Sequence, residues 1–250
     1  MAGEFEIAQA FIDASQRADS LDELSALLGE ATGALGFAHF ALVNHVDVRS
    51  QCVNPFRLHS YPDHWAHEFA AHRRVTSDPV VLASYTTNVG FRWSDVPAMI
   101  QLSSEHRAIL RDAADQGIGD GFTVPAHVPG EANGSCNFAQ KSGMPLPETS
   151  LPAAQLVGSY AFQSARVLIH RQAHELPNDP VKLTSRQLDC ILLVARGKTD
   201  WEIAKILGIH EDTVTEYLNE ARRRYNVSRR VQLVMRSIHD GHLTLADTLV

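Results

Sequence analysis

Seven cations crowd one stretch of the chain: Lys198, Lys205, Arg222, Arg223, Arg224, Arg229 and Arg230. Such a set suits the phosphates of a nucleic acid, where Arg and Lys neutralise backbone charge and fix position without reading sequence. Among them stand Thr213, Thr215, Glu216 and Asn219, polar side chains of the kind that meet base edges when a helix enters the major groove. On an ordinary helical bundle the same residues would be a solvated charged face, so the elements that carry them decide. A second group joins polar-tipped aromatics to a carboxylate: Tyr61, Trp65, Trp93 and Asp78. Taken alone, these read as core aromatics and a helix cap.

Other chemistries find less support. Three of the thirteen histidines, His64, His67 and His72, share a predicted helix. The string HEFAAH sets two of them five positions apart, about 140° around a helix, which misses the one-face HExxH metal geometry. Gly117, Gly119 and Gly121 are spaced GxGxG and precede a predicted strand, so they read as a turn and not as a nucleotide loop. There is no GxSxG, and no nucleophile with a positioned base can be chosen without arbitrary picking. Cys52, Cys136 and Cys190 are far apart and odd in number, and are expected as small core residues. The expectation is a protein that is not an enzyme and needs no cofactor or metal.

The basic cluster is carried by a clear series of helices. Thr184-Ser185-Arg186-Gln187 is a capping box before the apolar stripe Leu188, Ile191, Leu192 and Ala195, with Gly197 as the stop. Trp201 to Leu207 is a second helix ended by Gly208, and Asp212 to Tyr225 a third; this is a helix-turn-helix layout. A fourth runs from a Ser228 cap through Val231, Leu233, Val234 and Ile238 to Gly241. Upstream of these, HELPNDPVK at 174–182 has linker composition. Charge changes there too: 11 basic against 20 acidic residues up to position 180, and 11 basic against 9 acidic beyond it, a split of −9 and +2. We therefore divide the chain into domains at 1–175 and 183–250, joined by a linker at 176–182.

Across 250 residues, 44 % hydrophobic and 20 % charged, composition is that of globular domains and excludes disordered or collagenous chains. Apolar runs such as Ile191 to Ala195 are far too short to span a bilayer, and the start MAGEFEIAQA lacks a signal-peptide pattern. A soluble, cytoplasmic protein with no membrane partner is expected. In the first domain, helices are predicted at Glu4–Arg17 and Ser20–Leu35, the latter with a Ser20–Glu23 capping box and an inner face of Leu21, Leu24, Leu28, Ala31 and Leu35. Strands are expected at Phe40–Val48, Arg57–His59, Gly121–Val128 and Ser135–Ala139. Further helices follow at Pro62–Arg73, Pro79–Ser84, Ser103–Asp115 and Glu148–His174. With no regular βαβ repeat, the fold class is α+β: an N-terminal α-β-α sandwich around a small antiparallel sheet, then an all-α four-helix helix-turn-helix domain.

The string LTSRQ…ARGKTDWEIAKILGI…TVTEYL…RYNV resembles the DNA-binding domain of LuxR-type transcription factors over nearly all of 183–240. Gln187 stands where that family usually has Glu, Thr215 where it often has Lys or Arg, and His210 where it has a Ser cap. Upstream, SYPDHWAHEFAAHRRVTSDPVV, FRW at 91–93 and GFTVPAHV at 121–128 are similar to the acyl-homoserine-lactone receptor domain of quorum-sensing LuxR proteins. The resemblance implies that Trp65 donates to the lactone carbonyl, Tyr61 to the amide carbonyl, and that Asp78 accepts the amide N–H. It implies that Trp93 walls the lactone and that Val43, Ile109, Leu110, Ala113, Ile118 and Thr123 line the acyl pocket. Phe69 replaces a tyrosine common in relatives, removing one hydroxyl from the pocket.

The function so implied is a homodimeric regulator that binds an N-acyl-homoserine lactone and palindromic promoter double-stranded DNA. The 148–174 helix, with Leu151, Leu156, Tyr160 and Leu168, offers the dimer contact. Two alternatives differ in the first domain alone: a sensor of another metabolite or an enzyme on the same DNA-binding unit, and a constitutive DNA-binding protein. Whether Cys136 or Asn137 faces the pocket is left open by the sequence.

Overall fold

The computed structural model describes residues 3–45, 56–62, 77–128, 131–172 and 181–249. They form two compact units, residues 3–128 with 132–172 and residues 181–249. Among the described residues, no helix is long and apolar enough to cross a membrane.

The first unit opens with α1 (Glu4–Ser15) and α2 (Leu21–Ala34). The α2 start departs from the expected reciprocal box. Ser20 Oγ accepts the Glu23 N–H at 3.1 Å, but the Glu23 carboxylate reaches one residue further back to the Asp19 N–H at 2.9 Å. Either arrangement satisfies donors that the first turn leaves without helical partners. Leu24, Leu28 and Ala31 of α2, with Leu35 just beyond it, are buried.

Five antiparallel strands follow in the order β2-β1-β5-β4-β3. They are β1 (His39–Asn44), β2 (Arg57–His59), β3 (Phe91–Arg92), β4 (Ile118–Ala126) and β5 (Gly134–Lys141). Two details correct the sequence reading. β3 was not anticipated, because two residues cannot show an alternation. β4 begins at Ile118, so Gly119 and Gly121 belong to a strand and not to a turn, with a register irregularity between Ile118 and Gly121 where β4 leaves its pairing with β5. A Cβ at Gly119 would lie 2.6 Å from the Lys141 carbonyl oxygen, so the spacing that resembled a loop motif serves close strand pairing.

The sheet has two unlike faces. Phe40, Leu42, Phe122, Val124, Cys136 and Phe138 turn to one side and form the main core with α1, α2 and α6 (Leu151–Gln172), which follows a 3-10 turn at Glu148–Ser150. Ala153, Ala154, Ala161 and Ala165 are fully buried on α6, small residues that let the helix lie close against the strands. Across the sheet lie α3 (Pro79–Ser84), α4 (Val96–Met99) and α5 (Ser104–Asp115), completing the α-β-α sandwich. The expected helix over 62–73 and the ends of the strand expected to reach Val48 lie outside the described residues, as do Cys52, His64, Trp65, His67, Phe69 and His72.

The second unit contains α7 (Ser185–Ala195), α8 (Asp200–Leu207), α9 (Glu211–Arg224) and α10 (Arg230–His239) around Cys190, Ile191, Ile203, Val214, Leu218 and Leu233. Gly208 ends α8 at φ 66°, the left-handed conformation that turns the chain toward α9. His210 caps α9 without a side-chain bond, leaving that start less secured than a Ser would. The cap of α10 is Arg229 and not Ser228, because the Gln232 side chain accepts the Arg229 N–H at 3.0 Å.

Gln187 has two functions. Its Oε1 accepts the Thr184 N–H at 3.0 Å to close the α7 capping box, and its Nε2 donates to Glu220 on α9 at 2.8 Å. It is 1 % exposed. A glutamate could close the box but would face the Glu220 carboxylate with no proton to give. Gln187→Glu should therefore destabilise the second unit by about 1–3 kcal/mol. Like-charge repulsion raises a carboxyl pKa in the folded state, so the loss should grow as pH rises. Urea denaturation at pH 5 and pH 8 checks this: a larger deficit at pH 8 is expected, and equal deficits would contradict the pairing.

Candidate functional site: an apolar cavity against the sheet

The face of the sheet turned to α3 and α5 borders a cavity of about 100 Å³. Its wall follows strand alternation. Ala41 and Val43 on β1 and Asn137 on β5 point into it, while the intervening Leu42, Cys136 and Phe138 point to the main core. This answers the question left open by sequence: Asn137 faces the cavity and Cys136 does not. The Cys136 thiol, with no exposed surface, is pushed well above its usual pKa by burial and stays protonated. Ile109, Leu110 and Ala113 of α5, with Ile118, supply apolar lining at helical spacing.

Three of the four polar-tipped residues singled out by sequence converge here: Tyr61, Asp78 and Trp93 all line the cavity. Trp65 and Phe69 lie outside the described residues. Asp78 is the N-cap of α3, its Oδ1 accepting from the Val80 N–H at 2.7 Å and more weakly from the Val81 N–H at 3.4 Å. Pro79 occupies the first helical position, where its missing N–H costs nothing. The Tyr61 phenol is held far above its ordinary pKa by burial, then by the negative charge of Asp78 and by Cys136, so it remains a hydrogen-bond donor. The cap reading and the site reading of Asp78 thus describe one residue.

Trp93 follows the short β3 strand and lies over Gly121, where a Cβ would come within 2.5 Å of the indole ring. Its Nε1–H donates to Thr123 Oγ1 at 2.8 Å, and the Thr123 hydroxyl donates to Asn137 Oδ1 at 2.7 Å. Asn137 Nδ2 donates in turn to the Ala41 carbonyl and to Ser135 Oγ, both at 3.1 Å. Ser135 Oγ also meets His45 Nε2 at 3.0 Å; burial and then nearby His127 bring the His45 pKa down to about 4, so its ring is neutral near pH 7. Trp93 therefore lines the cavity with its N–H already engaged. Thr123 is fully buried behind the wall, where it holds Trp93 and Asn137 in place.

Sequence reasoning missed Arg57 and His59, which also line the cavity. They alternate on β2, but a three-residue strand gives almost no periodic signal. Among the described residues, His59 Nδ1 is a buried ring nitrogen without a hydrogen-bond partner.

In the second unit, α9 carries Thr213, Thr215, Glu216 and Asn219, of which Glu216 and Asn219 are exposed. Thr215 donates its hydroxyl to Asp200 Oδ2 at 3.0 Å, and Asp200 Oδ1 pairs with Arg230, which also donates to the Lys198 carbonyl. Arg222 donates to Asn219 Oδ1 at 2.6 Å. Arg223 and Arg229 are exposed, and a polar concavity is lined by Asn219, Arg222, Arg223, Ser228 and Gln232. Among the described residues no group of His, Cys, Asp and Glu could hold a metal ion.

An antiparallel sheet walled by helices, with a mostly apolar cavity, on a chain that also carries a helix-turn-helix, is the architecture of a transcriptional regulator with a small-molecule input domain. The autoinducer binding domain family matches residues 20–165, and the family of bacterial regulatory proteins of the luxR type matches residues 181–237; the chain belongs to the LuxR family of quorum-sensing transcriptional regulators. It is 26 % identical over 226 residues to the transcriptional activator protein AhyR of Aeromonas hydrophila, covering 89 % of this chain and 86 % of that one. It is 30 % identical over 186 residues to the quorum sensing-dependent transcriptional regulator RpaR of Rhodopseudomonas palustris, covering 74 % of each. Its fold is similar to the crystal structure of Escherichia coli SdiA, with a TM-score of 0.60, 21 % identity, and coverage of 95 % of this chain and 98 % of that one.

The packing of Trp93 on Gly121 has a direct test. In Gly121→Ala the added methyl must displace the indole and break the Trp93–Thr123 bond. A loss of about 1–3 kcal/mol in stability is expected from such overpacking, together with a change in Trp93 fluorescence. Unaltered emission and stability would show that the ring does not rest there.

Proposed function

We propose that the first domain (1–175) is a receptor for an N-acyl-homoserine lactone and that the second (183–250) binds palindromic promoter DNA as part of a homodimer, with 176–182 as linker. The observation that carries this reading is the convergence of Tyr61, Asp78 and Trp93 on one cavity whose remaining wall is mostly apolar. A lactone has an apolar acyl chain and an amide with one donor and one acceptor. Each must be paired on burial, since an orphan costs about 1–3 kcal/mol. The Tyr61 O–H donates to the amide carbonyl, and the amide N–H donates to the Asp78 carboxylate, which also caps α3. The ring of Trp93 walls the lactone, Trp65 donates to its carbonyl, and Phe69 belongs to the same pocket, one hydroxyl short of the tyrosine common in relatives. The acyl chain lies against Val43, Ile109, Leu110, Ala113 and Ile118, with Thr123 supporting the wall from behind.

Ligand then completes the core and favours the dimer. Leu156, Tyr160 and Val167 of α6 are exposed and recur on one side of the helix, giving an apolar stripe for that contact, whereas Leu151 and Leu168 are buried inward. In the dimer two α9 helices enter successive major grooves about 34 Å apart. Thr213, Thr215, Glu216 and Asn219 face bases, and Lys198, Arg222, Arg223, Arg229 and Arg230 face phosphates. Such a regulator acts in the cytoplasm, where its DNA is. Thr215 and Arg230 reach DNA only by giving up part of their hold on Asp200.

The ligand reading is tested by the thermal midpoint of the full chain against lactones with short, long, oxo, branched and aryl acyl groups. At one hundred times its Kd, a bound lactone should add about 2.7 kcal/mol, a rise of roughly 5–10 °C. No shift across the panel would refute it and favour a different small molecule. On DNA, Arg223→Ala should weaken binding to all duplexes and lower the salt slope by about one, whereas Asn219→Ala should relax base preference. Asp200→Asn, which loosens Arg230, should steepen the slope; three variants that behave alike across a site library would overturn this division.

A further inference from the structure

We infer that the molecule taken by this cavity carries an oxygen acceptor on its tail, beyond its head group, and that His59 selects for that oxygen with help from Arg57. The inference rests on the lactone reading and narrows it: an oxo, ether or carboxylate oxygen on the acyl chain is preferred to a plain alkyl chain.

The register of β1 and β2 places His59 opposite Ala41 and Arg57 opposite Val43, so both stand on the row of residues that faces the cavity. Most polar atoms of that wall are already paired with one another. Trp93 bonds to Thr123, Thr123 to Asn137, and Asn137 to Ser135, which in turn meets His45. Two histidine nitrogens among the described residues, His45 Nδ1 and His59 Nδ1, are buried without a partner, and of these two only His59 lines the cavity. A saturated chain packed over it would leave it so, whereas an oxygen within reach would give an imidazole N–H its acceptor.

Position and chemistry then specify the group. His59 precedes Tyr61 by two residues and follows Arg57 by two, a step of about 7 Å along an extended chain. An oxygen at His59 thus lies away from the amide that Tyr61 would hold, toward Arg57. A guanidinium can only donate, and a neutral imidazole can donate from one nitrogen, so an acceptor suits both while a lone donor suits only His59. Both residues belong to β2 and not to α5, so a preference for oxygen can be removed without changing the apolar residues of that helix.

Isothermal titration of the full chain with three lactones of matched length tests this: octanoyl, 3-oxo-octanoyl and 7-carboxyheptanoyl. At least one oxygenated ligand should bind about tenfold or more tightly than the saturated one. His59→Leu should bring that ratio to within about twofold, His59→Gln, which keeps an N–H, should retain most of it, and Arg57→Met should reduce it most for the carboxylate. Equal binding of the three by the native chain, or a ratio unchanged in His59→Leu, overturns this inference alone. Binding of none of them, or of any other lactone, overturns the lactone reading and this inference with it.

Discussion

One strand has to satisfy two incompatible neighbours, and the first unit is arranged around that constraint. β5 sits at the centre of the sheet, giving Cys136 and Phe138 to an apolar core under three helices and Ser135 and Asn137 to the other side, where Asn137 lines the cavity. The polar pair is tolerable because each member is hydrogen-bonded before any ligand is considered. Asn137 accepts from Thr123, which holds the Trp93 ring, and donates to Ala41 and Ser135. A shift of β5 by one residue would put Phe138 into the cavity and Asn137 into the core, so register and site are one requirement. Gly121 belongs to the same arrangement, since only a residue without a side chain allows the indole to rest on β4.

The second unit shows how departures from a family pattern can come with matching changes. Gln187 caps its helix as a glutamate would but also donates to Glu220, so the loss of a charge at one position accommodates a charge at another. Thr215, in a place where the family often carries a cation, donates to Asp200, and Asp200 holds Arg230 on α10. One carboxylate thereby ties together the residues preceding and following the turn and the start of the last helix. Such a tie orders α9 relative to its neighbours, and it moderates the positive surface near the turn.

The helical unit was largely legible in the sequence because its signals are local: capping residues, Gly208, and an apolar stripe for each helix. Its errors were of one residue, as when Gln232 chose Arg229 over Ser228 as the cap. The sandwich was legible in outline, and strand edges were not. β3 is too short to alternate, and the glycines at the start of β4 are dictated by contacts with Lys141 and Trp93, which are distant in the chain. The grouping of Tyr61, Asp78 and Trp93 came from family resemblance, because types and spacing alone suit a core aromatic and a cap. Arg57 and His59 escaped because their significance lies in facing Ala41 and Val43 across a strand pair, which no local pattern encodes.

The lengths of the outer strands bear on how copies of this chain can associate. The described sheet ends in β2 at one edge, with three residues, and β3 at the other, with two. Edges so short offer little backbone to template a further strand, which is how exposed sheets commonly grow into aggregates. Margins this short make the described sheet a poor starting point for the uncontrolled polymerisation open to sheets with long bare edges.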